Sequence, residues 1–219
     1  MSIAEICKQG FDDGDVVRQY TIPIDRADTY ATLSHKLSLL SVDMVKSMLD
    51  GDIHADKVKQ DIEMLSYAPK FDRNANVYRI ADRSDRSVQS FYNIYRAFNG
   101  SSLKTAKLVY DNKHVFIDDC NPLSDMILEE HQKAYTESVF SFLPVGSVFV
   151  FNNIKKLRGK LAIRFEDGWL IVNRLHFADG QTMTGKVFIK LLNAEDMYKT
   201  AVEDINAGKP PSGDLIKFE

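Results

Sequence analysis

Two adjacent acids near the start of the sequence are the first candidates for chemistry. They lie in the segment GFDDGDVV, residues 10–17, where Gly10 and Gly14 give the backbone freedom to turn around Asp12 and Asp13. A carboxylate in such a turn can orient a partner or accept a proton, but it cannot by itself also stabilise an oxyanion. Adjacent acids in an extended turn point apart and no histidine lies nearby in sequence, so we expect no metal site here.

A cluster of cations is the second candidate site. Residues 155–164 hold five Lys or Arg side chains around a predicted turn between two strands, and further lysines follow on a later predicted strand. Local positive charge of this kind is what a phosphate backbone requires, although a solvated turn has the same composition. The sequence alone leaves both interpretations open. The candidate phosphate-binding residues are Lys155, Lys156, Arg158, Lys160, Arg164 and Lys186.

Other classes of catalytic site are not indicated. The five histidines form neither a ligand cluster nor a Ser/His/Asp pattern, so we expect no metal cofactor. The two cysteines, Cys7 and Cys120, are too few for a disulfide scaffold and suit a reducing compartment.

The composition is that of a globular protein with one or two cores. Of the 219 residues, 44% are apolar and 27% are charged, and the formal net charge of −3 shows no global basic excess. No apolar run approaches the roughly 20 residues of a membrane span, so we expect no membrane partner. The first residues include several acids, which targeting presequences avoid, and no such segment is visible.

Hydrophobic periodicity predicts three helices and a set of strands. The first helix is capped by Asp25 or Asp28 and runs to about Asp50, the second is capped by Ser84 or Asp85 and runs to about Phe98, and the third covers 193–204. From residue 103 the apolar period becomes two. The predicted strands are 16–24, 103–110, 114–118, 147–151, 161–165, 169–177 and 183–189.

The order of these elements predicts an α+β chain. Several short strands with turns between them favour a small barrel of the OB type. Ala68-Pro69 interrupts the helical pattern and makes QDIEMLSYAPKF, residues 60–71, a connector. The pattern does not place residues 121–143, and it predicts a flexible tail at 207–219.

Four ordered motifs resemble methionyl-tRNA formyltransferases: GFDDGDVV, IPIDRADTYATLSHKL at 22–37, QDIEMLSYAPKF and YRAFN at 95–99. The resemblance implies the end of a doubly wound α/β formyltransferase domain, followed by a linker and an OB-like domain. The implied boundaries are 1–52 for the remnant of the catalytic domain, 53–75 for the linker, 76–206 for the OB-like domain and 207–219 for the tail.

The resemblance also implies an activity. The family transfers a formyl group from 10-formyltetrahydrofolate to the amino group of initiator methionyl-tRNA, using a trio of Asn, His and Asp. Asp12 stands where the family has its aspartate, but no Asn-x-His segment precedes Asp12 in this sequence. We therefore expect the chain by itself to be inactive. In this family the C-terminal barrel holds the acceptor side of the tRNA, so the resemblance favours RNA rather than DNA as the partner of the cation cluster.

Two other functions remain open. One is a non-catalytic tRNA-binding or accessory module derived from a formyltransferase. The other is a formyltransferase that acts on a sugar nucleotide, against which the segment YAPKF at 67–71 argues. Residues 8–14 and 168–198 resemble mitochondrial members most, so we expect a mitochondrial location, and otherwise a cytoplasmic one.

Overall fold

The structure is a computed structural model that describes residues 2–4, 14–51, 57–61, 63, 72, 74–101, 105–178, 180–213 and 215–219. The chain divides into two compact units, 1–72 and 73–219. Asp12 and most of the predicted connector 60–71 lie outside the described residues. Among the residues described, no helix has the length and apolar character needed to cross a bilayer.

The described residues of the first unit form a pair of short strands and a long helix. Strands β1 (Ser2–Ala4) and β2 (Val16–Gln19) pair antiparallel, and helix α1 covers Tyr30–Leu49. Thr29 caps α1, because its hydroxyl accepts a hydrogen bond from the backbone N–H of Thr32. The predicted caps Asp25 and Asp28 instead bind the ammonium of Lys36, at 2.7 and 2.8 Å.

The second unit is built on a six-stranded sheet. In spatial order the strands are β3, β4, β5, β8, β7 and β6, and every pair is antiparallel except β3–β4. A β-bulge between Ile117 and Cys120 bends the long strand β5, so the sheet curls. The α+β class is thereby confirmed. The strands are Val77–Tyr78, Lys107–Tyr110, Lys113–Pro122, Val148–Phe149, Leu161–Arg164 and Trp169–Phe177, numbered β3 to β8 along the chain.

Four helices pack with this sheet: α2 (Val88–Phe98), α3 (Glu130–Phe142), α4 (Gly185–Leu191) and α5 (Glu195–Asn206). Ser87 caps α2 rather than the predicted Ser84 or Asp85, and its apolar stripe is buried at all four positions, Val88, Phe91, Tyr95 and Phe98.

The predicted strand at 183–189 is wrong, because residues 185–191 form helix α4. The buried positions there are Gly185, Phe188 and Ile189, a spacing of three and four that belongs to a helix. Only Met183 keeps strand pairing, through an isolated bridge to Leu175. Alternating Met, Val and Ile over so short a segment satisfies both periods, and close packing of Gly185 against Leu161 selects the helix.

The end of the chain also differs from the flexible tail expected for 207–219. Leu215, Ile216 and Phe218 are buried. The backbone of Ile216 accepts a hydrogen bond from Val148 of the edge strand β6, and the Glu219 N–H donates to Val109 of β4. The Gly- and Pro-rich stretch before 214 predicts mobility, whereas the apolar residues that follow it supply the burial.

Trp169 is a core residue. Its side chain is 4% exposed and packs edge-on against Phe140 and Phe151. The indole N–H donates to the carbonyl of Thr136 at 3.2 Å, which satisfies the one polar group of the ring.

Candidate nucleic-acid interface

The predicted cation cluster begins on a short 3₁₀ turn, Lys155–Leu157, between β6 and β7. Ile154 and Leu157 are 2% and 1% exposed and anchor this turn in the core. Lys155 and Lys156 therefore face solvent. The Lys156 ammonium also donates a 2.6 Å hydrogen bond to the carbonyl of Ile127, which orients that side chain towards the segment before α3.

The chain reverses immediately after this turn, at Arg158 and Gly159. Gly159 has a φ of 78°, a left-handed conformation that glycine adopts without strain. Arg158 is exposed, and its Nε donates to the carbonyl of Asn152 at 3.3 Å. The guanidinium of Arg158 has no ion pair among the described residues, so it is available to an external anion.

Helix α4 brings a distant lysine to the same place. A Cβ on Gly185 would lie 2.5 Å from the backbone nitrogen of Leu161, so α4 sits closer to β7 than any other residue would allow. The backbone N–H of Lys186 then donates to the carbonyl of Gly159 at 3.1 Å. Lys186 and Arg158, 28 residues apart by number, become neighbours on the surface.

Arg158 and Lys186 line one groove of about 640 Å³, which we call the Arg158 groove. Helix α5 forms its other wall and contributes Lys199 together with two carboxylates, Glu195 and Glu203. Lys199 already pairs with Asp196 at 3.0 Å. Arg158 and Lys186 are the cations of the groove that have no ion pair among the described residues.

Arg164 lies in a different environment from the rest of the cluster. Its guanidinium stacks 3.9 Å from the centre of the Phe140 ring and donates to the carbonyls of Phe140 and Phe165, at 3.3 and 2.8 Å. Burial lowers the pKa of this guanidinium. The contacts of Arg164 hold α3 against the sheet. Lys160 is half-buried just before β7, and its side chain has no hydrogen bond within the described part of the chain.

The structure also brings together three side chains that sequence analysis did not connect. The Nδ1 of His176 lies 2.9 Å from Oδ2 of Asp118, and the Thr182 hydroxyl donates to the same oxygen at 3.1 Å. A carboxylate oxygen that accepts this hydrogen bond takes it from Nδ1–H of the imidazole. The ring stacks on Phe116 with a centroid distance of 4.7 Å. The sequence does not reveal this contact with Asp118, because it depends on the register of β5 against β8, which the bulge displaces.

The remaining candidates give no further site. Asp12 is outside the described residues, so its catalytic role stays a prediction. Within the described part of the chain, no group of His, Cys, Asp and Glu side chains has the arrangement to hold a metal ion. Cys120 is a free thiol, 1% exposed, and burial raises its pKa. A buried thiol held protonated is a poor nucleophile.

No protein-family model matches the chain, but individual proteins are similar to it. Methionyl-tRNA formyltransferase of Ehrlichia canis (strain Jake) is 35% identical over 101 residues, which are 45% of this chain and 33% of that protein. The enzyme of the same name from Caldicellulosiruptor saccharolyticus is 34% identical over 89 residues, 41% of this chain and 27% of that protein. The chain thus spans about a third of the length of these curated relatives.

Solved structures of HypX from Aquifex aeolicus share the fold. A variant of HypX superposes with a TM-score of 0.54 at 13% identity, covering 87% of this chain and 30% of HypX. The complex of HypX with tetrahydrofolic acid has a TM-score of 0.50 at 12% identity and covers 96% of this chain and 32% of HypX. At this identity the likeness concerns the fold alone. In sequence, the chain is similar to methionyl-tRNA formyltransferases over about a hundred residues.

Proposed function

We propose that this chain is part of a methionyl-tRNA formyltransferase and that residues 73–219 hold its tRNA substrate. The observation that carries the proposal is the convergence of Arg158 and Lys186 on one groove. The sequence similarity to enzymes of that name supports the choice of RNA, because a tRNA substrate is part of the name.

The groove suits a phosphate backbone on physical grounds. Guanidinium and ammonium groups with no carboxylate partner give up little when they bind phosphate oxygens. The exposed ammonium groups of Lys155 and Lys156 extend the positive surface beyond Arg158. Such contacts are independent of base sequence and position the RNA rather than select it. Lys160 belongs to the proposed surface, and Arg164 supports it from behind through α3.

The proposed co-substrate is 10-formyltetrahydrofolate. In the transfer, the amine nitrogen of methionyl-tRNA attacks the formyl carbon, the carbonyl oxygen gains negative charge, the amine loses a proton and the bond to the folate nitrogen breaks. We assign Asp12 the part of the family's aspartate, which orients the histidine that takes the proton. HypX, a structural neighbour, has been solved with a folate, which is consistent with this co-substrate.

We further propose that the curled sheet and the last five residues together make the OB-like barrel implied by the sequence. Residues 215–219 support this, since they hydrogen-bond both to β6 at one edge of the sheet and to β4 near the other edge. The boundaries of the remnant, linker and OB-like domain are proposed as the resemblance gives them. The mitochondrial location is a separate proposal, which fractionation of cells carrying the tagged protein tests.

Steady-state kinetics of the enzyme that carries this chain test the function. Replacing Arg158 and Lys186 by Gln should raise the KM for methionyl-tRNA and leave kcat and the KM for the folate unchanged. Asp12→Asn should lower kcat instead. The matched control is Arg174→Gln with Lys209→Gln, two exposed cations outside the groove. Equal KM values for the groove variant and the control contradict the proposal.

The second candidate function is a tRNA-binding module without catalysis. It is favoured by the groove itself, whose lining residues all belong to the second compact unit, 73–219. The same kinetics distinguish the two functions. Formyl transfer abolished by Asp12→Asn establishes the enzyme, whereas tRNA binding without turnover establishes the module.

A further inference from the structure

A second cavity, lined by none of the residues of the Arg158 groove, lies between the β4–β5 hairpin and α4. Its volume is about 870 Å³. Two aromatic side chains, Tyr110 and Phe177, form part of its wall, and two apolar residues of α4, Val187 and Leu191, form its rim. Val187 and Leu191 are 49% and 56% exposed, so the cavity presents an apolar surface to solvent.

The two aromatic side chains are held in place from behind. Phe188 is fully buried, stacks on Phe177 with ring centres 5.8 Å apart, and meets Tyr110 edge-on at 6.1 Å. Phe218 supports Tyr110 in the same way at 6.0 Å. The wall is therefore preformed, and a ligand that stacks against it does not have to order these rings.

Polar groups of the β4–β5 turn lie at the mouth of the cavity. Asp111 and Asn112 both have positive φ, at 47° and 56°, so the turn is tight, and Asp111 and Lys113 both line the cavity. Lys113 has no ion pair in the described part of the chain. Burial, with the charge of Lys107, lowers the pKa of His114, so its imidazole is neutral at neutral pH.

Gln181 and Thr182 also line the cavity, and both are exposed. The Thr182 hydroxyl donates to Asp118, so it can only accept a hydrogen bond from a ligand. A ligand that fills this site therefore needs an apolar, flat part for the aromatic wall, an anion for Lys113, and hydroxyl groups that can donate to Asp111. A fatty acid has a carboxylate for Lys113 but no hydroxyl groups for Asp111, and a sugar phosphate leaves the apolar wall uncovered.

We infer that this cavity binds a nucleoside 5′-phosphate, with its base on Tyr110, Phe177 and Leu191, its phosphate on Lys113 and its ribose hydroxyls on Asp111. Base stacking on aromatic side chains contributes about 1–3 kcal/mol per base and tolerates any base. The same chemistry comes from two sources, a free mononucleotide or the unpaired end of an RNA. The site does not depend on the Arg158 groove, which α4 lines with a different set of residues.

Titration with single nucleotides tests the inference. AMP, CMP, GMP and UMP, each with its 2′-deoxy counterpart and with inorganic phosphate as a further ligand, are added to the full chain and binding is measured by calorimetry. Lys113→Gln removes the phosphate contact, and Leu191→Glu places a carboxylate on the rim. Both residues are exposed, so neither change threatens folding. Lys209→Gln is the matched control.

We expect the nucleotides to bind the parent chain and to lose about tenfold or more in affinity with each of the two variants. Lys113→Gln removes a charged hydrogen bond, and the carboxylate of Leu191→Glu opposes the negative charge of the nucleotide. Lys209→Gln and the Arg158/Lys186 variant should bind as the parent does. Asp111→Asn, which tolerates positive φ, should reduce the preference for ribo- over deoxyribonucleotides. Absence of binding, or binding unaffected by Lys113→Gln and Leu191→Glu, overturns the inference.

RNA hairpins with and without a single-stranded 3′ end distinguish the two sources. A tighter complex with the overhang, lost in Lys113→Gln but kept in the Arg158/Lys186 variant, identifies an RNA end. Binding of mononucleotides with no effect of the overhang identifies a free nucleotide. Because the groove variant is measured in parallel, failure of this site is distinguishable from failure of the proposed tRNA groove.

Discussion

Gly185 and Leu161 are in direct backbone contact, with room for a hydrogen but not for a methyl group between them. A Cβ on Gly185 would lie 2.5 Å from the Leu161 nitrogen and 2.8 Å from the carbonyl carbon of Lys160. This contact sets α4 on β7 and delivers Lys186 to the Arg158 groove. The proposed function therefore depends on Gly185, because only glycine lets α4 approach β7 closely enough for Lys186 to join Arg158.

Gly185→Ala should therefore destabilise the second unit and weaken tRNA binding together. Overpacking against a backbone costs about 1–3 kcal/mol. Urea unfolding and tRNA titration measure the two effects. The control is Gly168→Ala, where a Cβ would meet the nearest atom, a methyl group of Val88, at 3.7 Å, an ordinary contact. Equal stability of the two alanine variants contradicts the role given to Gly185.

The last residues should be essential to the fold. Phe218 is 4% exposed, its N–H donates to the carbonyl of Gly146 at 2.9 Å, and its ring lies against Tyr110 and Phe188. We expect Phe218→Ala to lower the free energy of unfolding by about 3–5 kcal/mol. The neighbouring exposed Lys217→Ala should change it by no more than about 0.5 kcal/mol. A tail that tolerates both changes equally is not part of the core.

Local sequence patterns are sufficient to predict some of the helices and strands. The stripe of α2 repeats every three or four residues through Val88, Phe91 and Tyr95, and this local signal predicts both the helix and its buried face. Strand β8 is equally clear, because turn residues bound it on both sides. Helix α3 had a weaker signal of the same kind, Tyr135, Val139 and Phe142, which the many Glu and Ser residues around it obscure.

The rest of the structure depends on contacts that are distant in sequence. Helix α4 has only seven residues, too few for a period to be decisive, and its position depends on the backbone of Leu161. The same contact determines that Lys186 joins Arg158. Charge spacing alone did not separate Arg158 from Arg164, because the difference between them is the Phe140 ring supplied by α3.

Arg164→Gln and Arg158→Gln should accordingly have opposite effects. Arg164 stacks on Phe140 and satisfies two carbonyls, so its loss should lower stability by about 1–3 kcal/mol and leave the tRNA affinity of the folded protein nearly unchanged. Arg158→Gln should lower tRNA affinity with little change in stability. Chemical denaturation and tRNA titration of the two variants provide the comparison, and a larger loss of affinity for Arg164→Gln reverses the assignment.

Stability should decline in alkaline solution. Burial raises the pKa of Cys120, Tyr95 and Tyr198, so the folded state keeps them neutral where the unfolded chain ionises. Their contribution is complete below the unfolded-state pKa, about 8.5 for a thiol and about 10 for a tyrosine, and is lost as the pH rises above these values.

Urea unfolding between pH of about 7 and about 10.5 measures this decline. Cys120→Ala should remove the part that begins near pH about 8.5 and keep the part that begins near about 10, where the tyrosines ionise. If the stability of Cys120→Ala depends on pH in the same way as that of the parent, Cys120 makes no contribution to the decline.

The salt dependence of tRNA affinity tests the central claim most directly. The logarithm of the affinity is measured against the logarithm of salt concentration for the parent chain, for Arg158→Gln with Lys186→Gln, and for the control Arg174→Gln with Lys209→Gln. Each lost phosphate contact lowers the slope by about 0.9, so the groove variant should lose close to two units while the control keeps the parent slope. A groove variant with the parent's affinity and slope contradicts the assignment of the Arg158 groove to RNA.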